Sequence, residues 1–262
     1  AEHEYPVELD ELGKLAKQAR AQERSAESGT SDAGSEDTVN GANLRAVLNT
    51  RELSWGDVGL MLSIPGQGLG NAAIAAVASK EQLERFGDVW AAMAITEPSF
   101  GSDSAAVSTT ATRDGDYYIL NGTKTFATNG ACASIYVSFF KTNPEAGKKG
   151  ISAFMIDRDS KELTVGAHEN KMGFRLSNTT ELIFDNVRVP VENRIGEGLH
   201  IALNALNLSR AFISTLGVGI MQRALDEAMA YGASAVPAAP HQIPDGSADA
   251  DMAIKIEASR CL

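Results

Sequence analysis

The chain has 262 residues, 44% hydrophobic and 22% charged, which allows one large domain or two to three small ones around a sizeable core. Its formal net charge of −11 argues against a nucleic-acid or anionic-membrane partner, while leaving room for a local basic pocket for a nucleotide phosphate. Two cysteines, Cys132 and Cys261, make no disulfide framework and fit a reducing compartment, either cytoplasm or an organelle matrix such as the mitochondrial one. No apolar run approaches the roughly 18 residues that span a bilayer.

In chain order, YPVELDELGKLAKQAR spaces Val7, Leu9, Leu12 and Leu15 in a near-helical pattern. Residues 23–43, ERSAESGTSDAGSEDTVNGAN, are too polar to offset the entropy of ordering and read as a flexible linker. Short helices follow at NLRAVLNTREL and KEQLERFG. Between them, Gly66, Gly68 and Gly70 after LMLSI look like a dinucleotide-binding turn, but Asn71 stands where G-x-G-x-x-G needs glycine and Pro65 interrupts the approach.

The segment TEPSFGSD sets Thr96, Ser102 and Asp103 around a turn from Pro98 to Gly101, where backbone N–H groups and hydroxyls can cradle a phosphate. Glu97 and Asp103 fit backbone capping better than acid–base work. The middle of the chain reads as an antiparallel sheet, with hairpin turns at Asp114-Gly115 and Asn121-Gly122 and strands at STTATR, DYYIL, TKTFAT, SIYVSFFK, GISAFMID, LTVGA and TELIFDNVRV. Seven or so short strands imply a small β-barrel or sandwich. Strict alternation in TKTFAT puts Lys124, Phe126 and Thr128 on one strand face, an aromatic beside a hydroxyl that suits a flat ring with polar edges, although the local pattern by itself favours a β-hairpin with solvated threonines.

After Pro190, Leu199, Leu203, Leu206, Arg210, Ile213, Leu216, Ile220, Ala224 and Leu225 form a helical stripe. Arg210 within it calls for an anionic partner, an internal carboxylate or a ligand. Three prolines at 237, 240 and 244 then break the helix, and the pattern resumes at DMAIKIEASRCL. The four histidines are too scattered for a metal site.

Four blocks in order, TEPSFGSD, DGDYYILNGTKTFATNG, ENKMGFRLSNTTELIFDNVRVP and SRAFISTLGVGIMQRALDEAMAY, resemble the acyl-CoA dehydrogenases, FAD-dependent enzymes that desaturate acyl thioesters at the α,β position. The resemblance covers roughly Leu53 to Tyr231. It implies an α+β protein: an N-terminal helical domain at 1–92, a middle β-domain at 93–192 holding flavin and acyl-CoA, and an incomplete C-terminal helical bundle at 193–262.

By position, the resemblance assigns Ile95, Thr96, Gly101 and Ser102 to the flavin-contacting segment. Phe126 takes the place of a tryptophan against the flavin ring, Thr128 that of a hydroxyl near its reactive nitrogen, and Met93 that of an aromatic. Ser102 is also implied to border the phosphate-bearing arm of the thioester, and Asn207 and Arg210 to fall in the helix segment that lines the substrate channel. Implied partners are an acyl-CoA thioester, an electron-transfer flavoprotein or similar acceptor, and further subunits covering the Leu199–Leu225 stripe as a homo- or hetero-oligomer.

Desaturation needs a carboxylate for the α-proton and a flavin nitrogen for the β-hydride on opposite sides of the substrate. Most family members carry the base on a late C-terminal loop, beyond Leu262, and some carry it beside the arginine, where this chain has Ser209. GASAVPAAPHQIPDGSA stands in place of the family's R-x-x-F-G motif. No catalytic residue is therefore identified, with Arg210 a candidate for positioning. Two readings follow: an FAD-dependent dehydrogenase, or a subunit of one whose partner supplies the base, and a non-catalytic scaffold that keeps the fold.

Overall fold

The computed structural model describes residues 37–64, 68–234 and 247–260. The expected N-terminal helix, residues 23–36 of the expected linker and the segment of Pro237, Pro240 and Pro244 lie outside these residues. The linker reading needs correction at its end: α1 runs from Asp37 to Gly56 and takes in residues 37–43. Polar residues there extend the helix that NLRAVLNTREL propagates, since adding a turn to an existing helix avoids the cost of nucleation.

The described residues fall into two compact units, Leu62–Asn207 and a helical unit of residues up to Met61 and from Leu208 on. The short helix α2 (Val58–Leu62) ends where the first unit begins, and α3 (Leu69–Val77) and α4 (Lys80–Phe86) lie within that unit. Ser79 caps α4 with a complete capping box to Gln82. Gly70 of the dinucleotide-like run serves packing instead: a Cβ there would lie 2.6 Å from the Ala91 carbonyl oxygen, so glycine lets α3 approach the sheet.

Eight strands form one sheet: β1 (Ala91–Ala94), β2 (Thr110–Asp114), β3 (Tyr117–Thr128), β4 (Ile135–Lys141), β5 (Ile151–Asp157), β6 (Leu163–His168), β7 (Thr179–Pro190) and β8 (Arg194–Glu197). Their order is β6-β7-β3-β2-β4-β5-β8, with β1 also on β4. The expected antiparallel sheet is in fact mixed, because β1 pairs with β4 in parallel and β2 meets β4 in parallel at Thr110 and Lys141. Both lie along one edge of β4, so residues 95–109 are an excursion between two anchors on that edge.

The hairpin expected at Asp114-Gly115 forms, with Asp114 opposite Tyr117. Asn121-Gly122 is not a turn. It lies inside β3 at a bulge against β7, where Asn186 is the extra residue and its amide nitrogen donates to Asn121 Oδ1 at 2.8 Å. A positive φ of 122° at Gly122 serves this bulge as readily as it would a turn, which is why Asn-Gly misleads.

The two faces of β4 and β5 are both buried. Val137, Phe139, Ile151 and Met155 join Ile74 of α3 and Ile201, Ala202 and Ala205. Tyr136, Phe140, Phe154 and Ile156 meet Leu120, Leu182 and Phe184 of β3 and β7. Edge-on contacts between Tyr118 and Phe154 (4.9 Å) and between Phe140 and Phe184 (5.0 Å) join strands that are not neighbours, so the sheet curls over its own interior as a barrel or sandwich must.

The long helix α5, His200–Ser234, buries only part of the expected stripe: Leu225 is buried, as is Leu199 just before the helix, and Leu206 and Leu216 are half-buried. Ile201, Ala202 and Ala205 are buried, with Val218 and Leu225 further on, while Leu203, Arg210, Ile213 and Ile220 are exposed. Small alanines allow close approach, while Leu203, Ile213 and Ile220 turn outward together with the exposed Arg210. By length and composition alone α5 is also long and apolar enough to cross a membrane, with a mean hydropathy of 1.2 over 18 residues, which corrects the expectation that nothing approaches a span. Its buried turns are nevertheless committed to protein packing. In the helical unit, Val218 and Leu225 pack on Ile256 of α6 (Ser247–Arg260), and Trp55 Nε1 donates to Asp226 Oδ2 at 2.7 Å.

Candidate functional site

The 95–109 excursion and the end of β3 build one site. Its turn sits one residue earlier than expected: Glu97 and Phe100 exchange two backbone hydrogen bonds of 3.1 Å around Pro98 and Ser99. Gly101 and Ser102 follow, exposed, and Ile95 and Thr96 are half-buried as the chain leaves β1. Glu97 caps backbone as expected, accepting from the amides of Ser108 (2.8 Å) and Thr109 (3.2 Å). Asp103 makes no such side-chain cap at the following short helix.

On β3, the strict alternation of TKTFAT fails. Lys124 pairs with Leu182 and Ala127 with Thr180, so three steps on β3 match two on β7 and one residue is extra. Phe126 takes it up with a φ of 57°, a left-handed backbone that costs an L-residue about 1–2 kcal/mol. Lys124 and Ala127 then both point inward, while Phe126 and Thr128 point out together. Phe126 and Thr128 keep the shared face read from the sequence, and Lys124 is the correction.

That outward ring is 63% exposed, an aromatic held in strained backbone with solvent on its face. Strain of this kind persists where surrounding structure over-determines it and gathers at ligand sites. The bulge is tied to the turn, because the Thr125 amide donates to the Thr96 carbonyl at 2.8 Å. An exposed aromatic face, an adjacent exposed hydroxyl and a neighbouring turn with exposed Gly101 and Ser102 are the kinds of group that a ring cofactor with a phosphate arm would need. The residues present therefore fit a flavin.

Beneath the site lies a feature the alternation hid. Lys124 Nζ reaches Glu97 Oε1 at 2.8 Å with the two side chains 0% and 2% exposed, and lies 5.2 Å from the centre of the Phe140 ring. Burial pushes Glu97 upward, but the Lys124 ammonium and the Ser108 hydroxyl and amide outweigh it and hold the carboxyl at about 2. Burial dominates at Lys124 and lowers it to about 8 against the pull of Glu97, leaving the pair charged at neutral pH. The signal available in the sequence was a lysine inside a strand of threonines and aromatics, with an unmatched acid in the preceding turn.

Asn207 and Arg210 are both exposed on α5, one turn apart. Met93 of β1 packs partly into the core beside α3. Among the described residues, no three His, Cys, Asp or Glu side chains gather to hold a metal.

Residues 92–187 match the family model for the acyl-CoA dehydrogenase middle domain. An acyl-CoA dehydrogenase of Bacillus subtilis is 40% identical over 218 residues, covering 78% of this chain and 57% of that protein. A butyryl-CoA dehydrogenase structure from Megasphaera elsdenii superposes with a TM-score of 0.76 at 33% identity, over 82% of this chain and 60% of that one. A glutaryl-CoA dehydrogenase of Mycobacterium smegmatis, solved in complex with FADH2, gives 0.74 at 31% identity, over 81% and 57%. The chain spans about half the length of the curated relatives it matches.

Proposed function

Since the chain belongs to the acyl-CoA dehydrogenase family, we propose that its β-unit is the flavin- and thioester-binding part of an FAD-dependent α,β-dehydrogenase. The observation that carries this reading is the solvent-facing Phe126 ring, fixed by the β3 bulge beside Thr128 and tethered to Thr96. In this reading, the Phe126 ring offers an apolar face, the Thr128 hydroxyl donates to an acceptor on the ring edge, and the Thr96–Ser102 turn supplies hydroxyl and N–H donors to the phosphate arm. Bound FAD supplies the acceptor for the substrate β-hydride.

The α-proton needs a carboxylate. Glu97 cannot serve, because its oxygens already accept from five donors on Ser108, Thr109 and Lys124. Asn207 and Arg210 are proposed to border the thioester, and an electron-transfer flavoprotein or a similar one-electron carrier to take up the reducing equivalents. Further subunits are proposed to cover the exposed leucines and isoleucines of α5.

The test is the visible spectrum of the purified chain loaded with FAD and dialysed, then mixed anaerobically with acyl-CoA thioesters. Retained flavin supports the proposal, and bleaching extends it to a complete reaction. Retained flavin without bleaching assigns the base to another chain or segment. Loss of all flavin on dialysis overturns the proposal in favour of a scaffold.

A further inference from the structure

Both segments of the proposed flavin site lie where the sheet ladder is interrupted. The β1 ladder stops at Ala94 and β2 resumes only at Thr110, while the β3–β7 ladder is interrupted between Lys124 and Ala127. Across this gap, Lys124 Nζ bonds Glu97 Oε1 at 2.8 Å and approaches the Ile95 carbonyl at 3.4 Å. The same carboxylate holds the Ser108 and Thr109 amides at the far end of the excursion. One buried node therefore fastens the start of the excursion, its end and the bulge.

Stability alone does not call for charge here, because a well-packed apolar pair of similar volume usually serves a core as well or better. What an apolar pair would not supply is direction: five donors, from the end of the excursion and from β3, converge on one carboxylate at its start.

Building on the proposed function, we infer that Lys124 is a positioning residue, whose ion pair with Glu97 sets the distance and angle between the Thr96 turn and the Phe126 bulge. It touches no substrate and acts through Thr96 and Phe126. Without it, the excursion and the bulge keep, among the described residues, the Thr125–Thr96 hydrogen bond, and the two faces of the flavin site move more freely against each other.

The test compares the wild-type chain with K124M and with the double variant E97Q/K124M. The double variant leaves no unpaired charge in the core; its amide oxygen serves only one of the two donor pairs, Ser108 on Oε2 or Thr109 on Oε1, so the exchange of Ile135–Lys141 and Ile151–Asp157 serves as the check that each variant keeps its fold. Amide exchange followed by mass spectrometry should show residues 95–109 and 124–127 opening about tenfold faster, with Ile135–Lys141 and Ile151–Asp157 unchanged. With FAD present, the dissociation constant should rise about tenfold and the visible circular dichroism of the bound flavin should change.

Unchanged exchange in the two segments, or faster exchange spread evenly over all strands, would overturn the inference. A wild-type chain that takes up no FAD would sink the proposed function, while the exchange measurement would still decide the role of Lys124.

Discussion

Thr109 and Gly122 meet where no side chain fits: a Cβ on Gly122 would lie 2.4 Å from Thr109 Cγ2. Thr109 is held there by its hydroxyl, which bonds Glu97 Oε1 at 2.8 Å, and Gly122 by the β3–β7 bulge at a φ of 122°. Gly122→Ala therefore adds steric overlap to a backbone that L-residues avoid. We expect it to cost about 3 kcal/mol in urea unfolding. Adding Thr109→Ser removes Cγ2, keeps the hydroxyl and should recover part of the loss; no recovery would place the whole cost in the backbone.

Acid stability should report on Glu97. Its carboxyl sits at about 2 in the folded chain against an ordinary 4.5, so its contribution is complete above pH 4.5 and is lost as the pH falls through about 2. A shift of this size corresponds to about 3 kcal/mol for a buried group. The gap in unfolding free energy between wild type and Glu97→Gln should be widest near pH 6 and should narrow below pH 4. A gap that stays constant down to pH 3 would contradict the ion pair.

Phe126→Asn should separate strain from function. The ring is exposed, so its loss leaves no cavity, and Asn tolerates the left-handed backbone better than Phe. The free chain should gain up to about 1 kcal/mol, seen as a higher melting temperature. FAD affinity should fall at the same time. A variant that melts lower and binds FAD unchanged would remove Phe126 from the site.

Thr128→Val keeps shape and removes a donor. If the hydroxyl meets the flavin edge, affinity should drop by about five- to tenfold, the worth of one hydrogen bond, with a shifted absorption band. An unchanged spectrum and affinity would end that assignment.

Much of the fold was legible because it rests on patterns of short range. Apolar runs rich in aromatic and β-branched residues at SIYVSFFK and GISAFMID marked β4 and β5, and Asp114-Gly115 marked the β2–β3 hairpin. What escaped came from pairings between distant segments. Asn121-Gly122 has the same local chemistry in a turn and in a bulge, and only β7 decides between them. The extra residue at Phe126 likewise exists only relative to β7, so strict alternation turned Lys124 to the wrong face. The stripe of large apolar residues held at Leu199 and Leu225 and failed at Leu203, Ile213 and Ile220, while on α5 Ala202 and Ala205 are buried through their small size.

The β3–β7 ladder also dictates an order of assembly. The β4–β5 hairpin joins neighbours in sequence and can close early, whereas β3 must wait for a strand some sixty residues downstream, and contacts across such spans are slow to form. During synthesis, Phe126 leaves the ribosome well before Thr180, whose pairing with Ala127 defines the bulge. A nascent chain halted at His168 would thus hold a closed β4–β5 hairpin while Lys124 still lacked the strand that turns it inward toward Glu97.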